Sequence, residues 1–364
     1  MRSTGEFPRH LLPLLRCSRD AGQLSLCQEV RSGAVGVTDG SLRCTGCSAE
    51  YPIENGIARL MTDALTPEIE HEIALKDQEY AAMPDIFEPP SSGWRSEYGD
   101  HIEIPPHLDA LEPLEGCRVL ELGCGDGRFT LLMAQLGADV LAIDFCIAGL
   151  HKLTDFLLSG VAPTTYRVAP RRPAGSLTAH VGLVQADAGH FHVAPRSFDR
   201  ALSATPLDSR DERMRMYRTI AEALTDDGRF VGGVEHDDLN RRLLGLPLMR
   251  RYTPGGILLE HLDIPTMRRE TAPYFSQLHF RPIRAHLPFV KRLPRKVAVF
   301  VALAANEIPG LRLFGELLLL CAEGPIRLPV EGARRPGNSV AKSFYRWYKR
   351  RKGDPPLWDP GVEV

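Results

Sequence analysis

The sequence predicts an α/β protein: an open, mostly parallel sheet covered by helices on both faces, preceded by a small β-rich module. Three observations carry that prediction. From Cys117 onward, short apolar runs of strand length alternate with stretches of helical period. A turn holding three alternating glycines follows the first of those runs. Four of the eight cysteines crowd into the first 47 residues, with one C-x-x-C pair. A length of 364 residues suits two folded units plus tails, and 43% hydrophobic with 25% charged residues excludes wholesale disorder.

Taken in order, residues 1–62 read as the β-rich module and 63–116 as a helical and proline-rich linker and lid. Within the latter, 66–80 reads as a helix with Thr66 at the N-cap and Pro67 at the first helical position. Five prolines between Pro84 and Pro106, with Ser91-Ser92-Gly93, predict an extended linker. Strands are expected at Arg118–Leu122, Asp139–Ile143, Val181–Gln185, Arg200–Ser203 and Arg229–Val234. Helical stretches near 128–136, 147–158 and 212–224 lie between them, and such β-α-β repetition implies a parallel sheet buried on both faces. The Pro- and Arg-rich loop 160–180 interrupts the rhythm. Beyond Val234, residues 240–275 read as a lid segment, with a helix at Pro265–Phe275. Two further strands, Leu278–Pro288 and Glu316–Cys321, flank a helix near 294–306. The main domain is thus expected over 117–328, and 329–364 as a basic carboxy-terminal extension.

The densest signal is Val119-Leu-Glu-Leu-Gly-Cys-Gly-Asp-Gly-Arg-Phe-Thr130. Glycines 123, 125 and 127 allow a tight turn and close approach of a ligand to the backbone. The dinucleotide fingerprint would require glycine where Arg128 stands, so a nucleoside ligand without a pyrophosphate fits better. Asp144, 21 residues beyond Gly123, ends the second strand, where a carboxylate can accept both ribose hydroxyls. Asp187, within Ala186-Asp187-Ala188, ends the third, where a carboxylate can receive an adenine amino group.

These segments resemble the core of class I S-adenosylmethionine-dependent methyltransferases. Glu121-Leu-Gly-Cys-Gly-Asp-Gly127 matches the family's first motif, Asp144 the acid ending the second strand, and Asp187 the third. Phe198-Asp199 through Thr205-Pro206, and Leu224–Val231, match the fourth and fifth elements. The resemblance implies a Rossmann-like seven-stranded sheet whose last pair is antiparallel, with S-adenosylmethionine as cofactor. It implies a cofactor site at Glu121, Gly123, Cys124, Gly125, Asp126, Gly127, Asp144, Phe145, Asp187, Ala188 and Ser203. The glycines would line the methionine part, Asp144 the ribose, and Asp187 with Ala188 the adenine.

Cys44-Thr-Gly-Cys47 has the spacing of a zinc knuckle, and Cys17 lies 27 residues earlier. A complete ribbon would place a cysteine at position 20, which is Asp20, and Cys27 is a spare thiol. The text around them, including Tyr51-Pro-Ile-Glu-Asn-Gly-Ile57, resembles the zinc-ribbon activator proteins that partner methyltransferases. A structural zinc is expected on Cys17, Cys44, Cys47 and either Asp20 or Cys27.

The methyl acceptor is less legible. Ser203-Ala-Thr-Pro206 lacks the Asn/Asp-Pro-Pro-Tyr signature of amino-group methylation on bases and glutamine, and no Pro-Cys pair occurs there. His236, in Glu235-His-Asp-Asp238, is the candidate general base, since histidine titrates near neutrality. His261 falls in the lid segment, and His190 and His192 border Asp187. Charge is split: residues 1–240 hold 22 Lys and Arg against 36 Asp and Glu, whereas 241–364 hold 22 against 10. The basic third, with Phe344, Tyr345, Trp347 and Tyr348 interleaved among its charges, could bind RNA. A small-molecule substrate is the first expectation, an RNA methyltransferase the second and a non-catalytic nucleoside-binding scaffold the third. No apolar run approaches the ~20 residues of a spanning helix, so no membrane partner is expected. The cysteine spacing favours reduced thiols and a cytoplasmic location.

Overall fold

The computed structural model describes residues 5–61, 67–82, 97–204, 209–251, 258–285, 287 and 290–327. The amino-terminal module comprises β1 (Phe7–Pro8), β2 (Leu24–Ser32), β3 (Gly36–Cys44), β4 (Glu50–Glu54) and β5 (Ile57–Arg59). Helices α1 (Pro67–Ala81) and α2 (Glu97–Leu111) follow. The alternating part runs β6 (Arg118–Leu122), α3 (Thr130–Gln135), β7 (Asp139–Asp144), α4 (Ile147–Ser159), β8 (Val181–Gln185), β9 (Phe198–Ser203), α5 (Arg210–Ala223) and β10 (Leu224–Glu235). The last part holds α6 (Leu239–Leu243), a hairpin of β11 (Met249–Arg251) and β12 (Leu258–Glu260), α7 (Ile264–Thr271), β13 (Phe275–Ala285), α8 (Arg295–Ala305), α9 (Pro309–Arg312) and β14 (Gly315–Pro325).

Seven strands lie in the order β8-β7-β6-β9-β10-β14-β13, all parallel except β14, which is antiparallel to both neighbours. This is the Rossmann-like sheet with an antiparallel last pair. Its central strands are apolar on both faces: Val119, Leu120, Val140, Leu141 and Ala142 are fully buried, as a sheet covered on two sides requires. The C-terminal ends of β6, β7, β8, β9 and β10 therefore share one edge, and the glycine turn leaves β6 at that edge.

The amino-terminal module does not stand apart. β5 pairs parallel with β8, at Ile57↔Leu183, Ala58↔Val184 and Arg59↔Gln185, so the module's meander extends the main sheet to twelve strands. Phe7, Leu42 and Ile53 of the module share one core with Leu141, Ile143 and Val184. A bridge between Leu15 and Val193, with Ala194 N–H donating to Leu14 C=O at 2.7 Å, ties the module to the loop beyond Asp187.

One expectation fails in this part of the chain. The extended linker predicted up to Pro106 is helical from Glu97, and Pro105 and Pro106 lie inside α2. Each proline removes a backbone donor, a cost of about 3 kcal/mol or more in a helix interior. The burial of Ile102, Ile104, Leu108, Leu111 and His107 against the sheet outweighs it. Residues 83–96 and Thr66 lie outside the described residues, as do Thr205, Pro206 and the extension from 328.

Candidate active site

The turn after β6 is held by the next strand. The N–H groups of Gly123 and Cys124 both donate to Ile143 C=O, at 2.9 and 3.1 Å. The Asp144 carboxylate completes the clamp: Oδ2 accepts from Gly125 N–H and Oδ1 from Cys146 N–H, both at 2.8 Å. An ionised carboxylate has about four acceptor directions, so two remain for a ligand. Gly125 and Gly127 sit at φ +56° and +88°, and a Cβ on Gly125 would stand 2.3 Å from the Tyr80 hydroxyl. Only glycine meets both demands. Beneath the turn, Glu121 is buried and accepts a 2.5 Å hydrogen bond from the Thr130 hydroxyl. Burial pushes its carboxyl up to about 8, against the opposing pull of that bond. Asp126 is buried in the turn, and Ser203 is buried at the end of β9.

Asp187 lies along the same edge, its Oδ1 accepting from Gly189 N–H at 2.8 Å and its Oδ2 2.6 Å from His190 Nδ1. Ala188 is buried beside it. Phe145 C=O accepts from Gln185 Nε2 at 3.0 Å, joining the ends of β7 and β8.

Helix α1 covers this edge. Its Asp77 accepts from Ala148 N–H at 3.1 Å and from the Cys146 thiol at 2.9 Å, docking α1 on the amino-terminal end of α4. Its Glu72 is pushed up to about 7, first by burial, with Glu212, Asp144 and Asp187 adding to the rise and Lys76 opposing it. Burial likewise lifts Asp144 to about 6 despite its two backbone bonds. The covered site thus holds an excess of negative charge, carried by Glu72, Asp144, Asp187 and Glu212.

Residues 120–232 match the protein family described as a methyltransferase domain. Residues 120–232 thus make up a methyltransferase domain. Over 81 residues the chain is 38% identical to a ubiquinone biosynthesis O-methyltransferase of Xylella fastidiosa, covering 19% of this chain and 33% of that one. Over 46 residues it is 50% identical to phosphoethanolamine N-methyltransferase 3 of Arabidopsis thaliana, covering 13% and 9%. The chain therefore spans a third or less of the length of these curated relatives. Among solved structures, an S-adenosylmethionine dependent methyltransferase from Mesorhizobium loti is 20% identical, covering 62% of this chain and 97% of that one at a TM-score of 0.42.

Around the methyltransferase domain the histidines differ in setting. His236, just past β10, is buried, and its Nδ1 donates to Gly315 C=O at 2.7 Å. That bond fixes the tautomer and leaves Nε2 as an acceptor. Burial lowers its pKa, which favours the neutral imidazole. His261 is buried with Nδ1 3.1 Å from Leu248 C=O.

Sequence reasoning missed a charged cluster at the same sheet edge. Arg128, noted only for not being glycine, donates to Glu103 of α2 at 2.6 Å. Arg284, at the end of β13, lies 3.4 Å from Glu103 Oε2, 3.3 Å from Glu235 and 3.6 Å from Glu316. Arg284 holds φ +60°, a backbone state that redirects its side chain at a strand end. Arg128 and Arg284 keep the buried Glu103 carboxyl below its ordinary range against desolvation.

The cysteines separate cleanly. Sulfurs of Cys17, Cys44 and Cys47 and a carboxylate oxygen of Asp20 lie within 4.8 Å of one another. The N–H groups of Arg19 and Gly46 point at the sulfurs of Cys17 and Cys44, at 3.4 and 3.3 Å. Cys17 Sγ and Cys47 Sγ are 3.6 Å apart, close to the spacing two thiolates ~2.3 Å from one tetrahedral zinc would have. The four donors fit that ion. Cys27 is not among them: it is exposed on β2, and its thiol meets Ser41 C=O at 3.3 Å.

Proposed function

We propose that this protein transfers the methyl group of S-adenosylmethionine to an oxygen or nitrogen of a small molecule. The observation that carries this reading is the Asp144 carboxylate, which clamps the glycine turn through Gly125 while keeping acceptor directions for a ribose. In this reading Gly123, Gly125 and Gly127 line the methionine part, and Asp187 receives the adenine amino group. S-adenosylmethionine supplies the electrophilic methyl group. The protein's part is to position the acceptor in line with it and to exclude water, which α1 does by lying over the turn. His236 serves as the base, with Nε2 taking the acceptor's proton while Nδ1–H stays on Gly315 C=O.

Cys17, Asp20, Cys44 and Cys47 would hold a zinc ion that staples the amino-terminal module; such a closed ligand set is structural. The spacing of the eight cysteines favours reduced thiols, which supports a cytoplasmic setting. The relatives named above are an O- and an N-methyltransferase, and both kinds of acceptor atom stay within the proposal.

The test is incubation of purified protein with methyl-tritiated S-adenosylmethionine and either a small-metabolite fraction or total RNA. Label in the metabolite fraction, lost in His236→Ala, supports the reading. Label confined to RNA replaces it with the RNA methyltransferase.

A further inference from the structure

Large apolar side chains are exposed mainly in one stretch of the chain. Of fourteen such residues among the described ones, nine fall between Leu243 and Leu313. Two helices there turn large apolar side chains to solvent. α6 buries Arg241, whose guanidinium donates to Pro247 C=O, and turns Leu243 outward at 74% exposure, with Leu244 following at 72%. Leu246 and Leu248 continue the exposed surface. α8 buries Ala298, Ala302 and Ala305 and turns Val297 and Phe300 outward, the latter 72% exposed. The stretches meet where Leu239 N–H donates to Leu313 C=O at 2.8 Å, and Leu313 and Ile308 are exposed there. An apolar surface of this kind marks an interaction site rather than scatter.

Charge decides what the surface meets. Residues 239–314 hold thirteen Arg and Lys against four Asp and Glu. Exposed Arg292 and Lys296 flank Leu293 and Val297, and exposed Arg268 lies between the two stretches in sequence, whereas Arg242 beside Leu243 is paired with Asp237 and Asp263. The occupant must therefore be anionic and apolar together. The carboxy-terminal extension 329–364 is itself basic, with eight Arg and Lys against four Asp and Glu, so like charge disfavours it. A second copy joined through the same face would set basic against basic. Single leucines and a phenylalanine projecting from short helices suit a fluid partner that can close around each of them. We propose that the α6–α8 surface docks on an anionic lipid bilayer, with Leu243, Leu244 and Phe300 entering the acyl boundary and the basic residues meeting lipid phosphates. No helix among the described residues is long and apolar enough to cross a membrane. The sequence offered no membrane partner because no apolar run is long enough to span a bilayer and residues 240–275 read only as a lid segment. Only the structure shows which face is turned outward.

The test is co-sedimentation of the full chain with vesicles of phosphatidylcholine alone and of phosphatidylcholine with about one quarter phosphatidylglycerol. Expected is binding to the anionic vesicles only, weakened by salt. Leu243→Glu with Leu244→Glu, and separately Phe300→Glu, should each weaken it by about tenfold or more, since each places charge where apolar area was buried. These side chains are exposed, so the variants should keep the wild-type melting temperature and donor affinity, which separates this claim from the methyl-transfer reading. Binding to neutral and anionic vesicles alike would overturn the charge argument. Absence of vesicle binding, with a sedimenting dimer that Leu243→Glu dissociates, would assign the surface to a second copy instead.

Discussion

Glu121 shows how a single buried carboxyl shapes the site. Its carboxyl titrates near 8 in the folded chain and near ~4.3 when unfolded. Between those values the native state holds a proton that the unfolded state has lost. Stability therefore falls as pH rises through that window and levels off above it. Glu72 and Asp144, lifted to about 7 and about 6, act with the same sign over narrower windows. The melting temperature should decline between about pH 5 and about pH 8, and Glu121→Gln should flatten the part above neutrality, read by scanning calorimetry. The residues nearest the turn were legible because strand, glycines and acids follow one another in short range. Glu103 and Arg284 were not: 181 positions separate them, and no local pattern announces a pair that only the fold brings together.

At the scale of elements, α2 depends on its charged anchor as much as on its apolar face. Glu103→Ala would leave Arg128 and Arg284 without their shared carboxylate in a largely desolvated place. A loss of about 2–3 kcal/mol is expected by denaturant titration, less than for a fully buried pair because both arginines keep some water. The amino-terminal module should respond to its metal ligands in a similar way. Protein purified without chelator should carry about one zinc per chain. Cys44→Ser should remove it and lower the melting temperature, whereas Cys27→Ser should leave both unchanged. Strand positions were read from sequence to within a residue or two where apolar runs are short and bounded. β10 is longer than expected because Leu224 already pairs with Phe198 before a register shift at Arg229. α2 escaped notice because two prolines normally end a helix, and only burial against the sheet shows why this one persists.

For the molecule as a whole, one sheet carries both the Cys17–Asp20–Cys44–Cys47 cluster and the glycine turn. β5 lies directly on β8, and β8 runs into Asp187. The sequence presented the module and the domain as neighbours in a row; that they share a core follows from strand pairing, which sequence pattern does not encode. The acidic character of the covered site predicts a distinction between donor and product. Binding a sulfonium favours the ionised forms of Glu72 and Asp144. Affinity for S-adenosylmethionine should rise by about tenfold from pH 5.5 to pH 7.5, and by less for the uncharged thioether S-adenosylhomocysteine, which shares only the ribose contact to Asp144. Glu72→Gln should remove the upper part of that rise.

Calorimetric titration of the purified chain with S-adenosylmethionine, wild type beside Asp144→Ala, tests the central claim most directly. The proposed function predicts micromolar binding that the substitution abolishes without unfolding the protein, because Asp144 clamps the turn and is proposed to hold the ribose. Absence of binding to folded wild-type protein, or equal binding by Asp144→Ala, would contradict it.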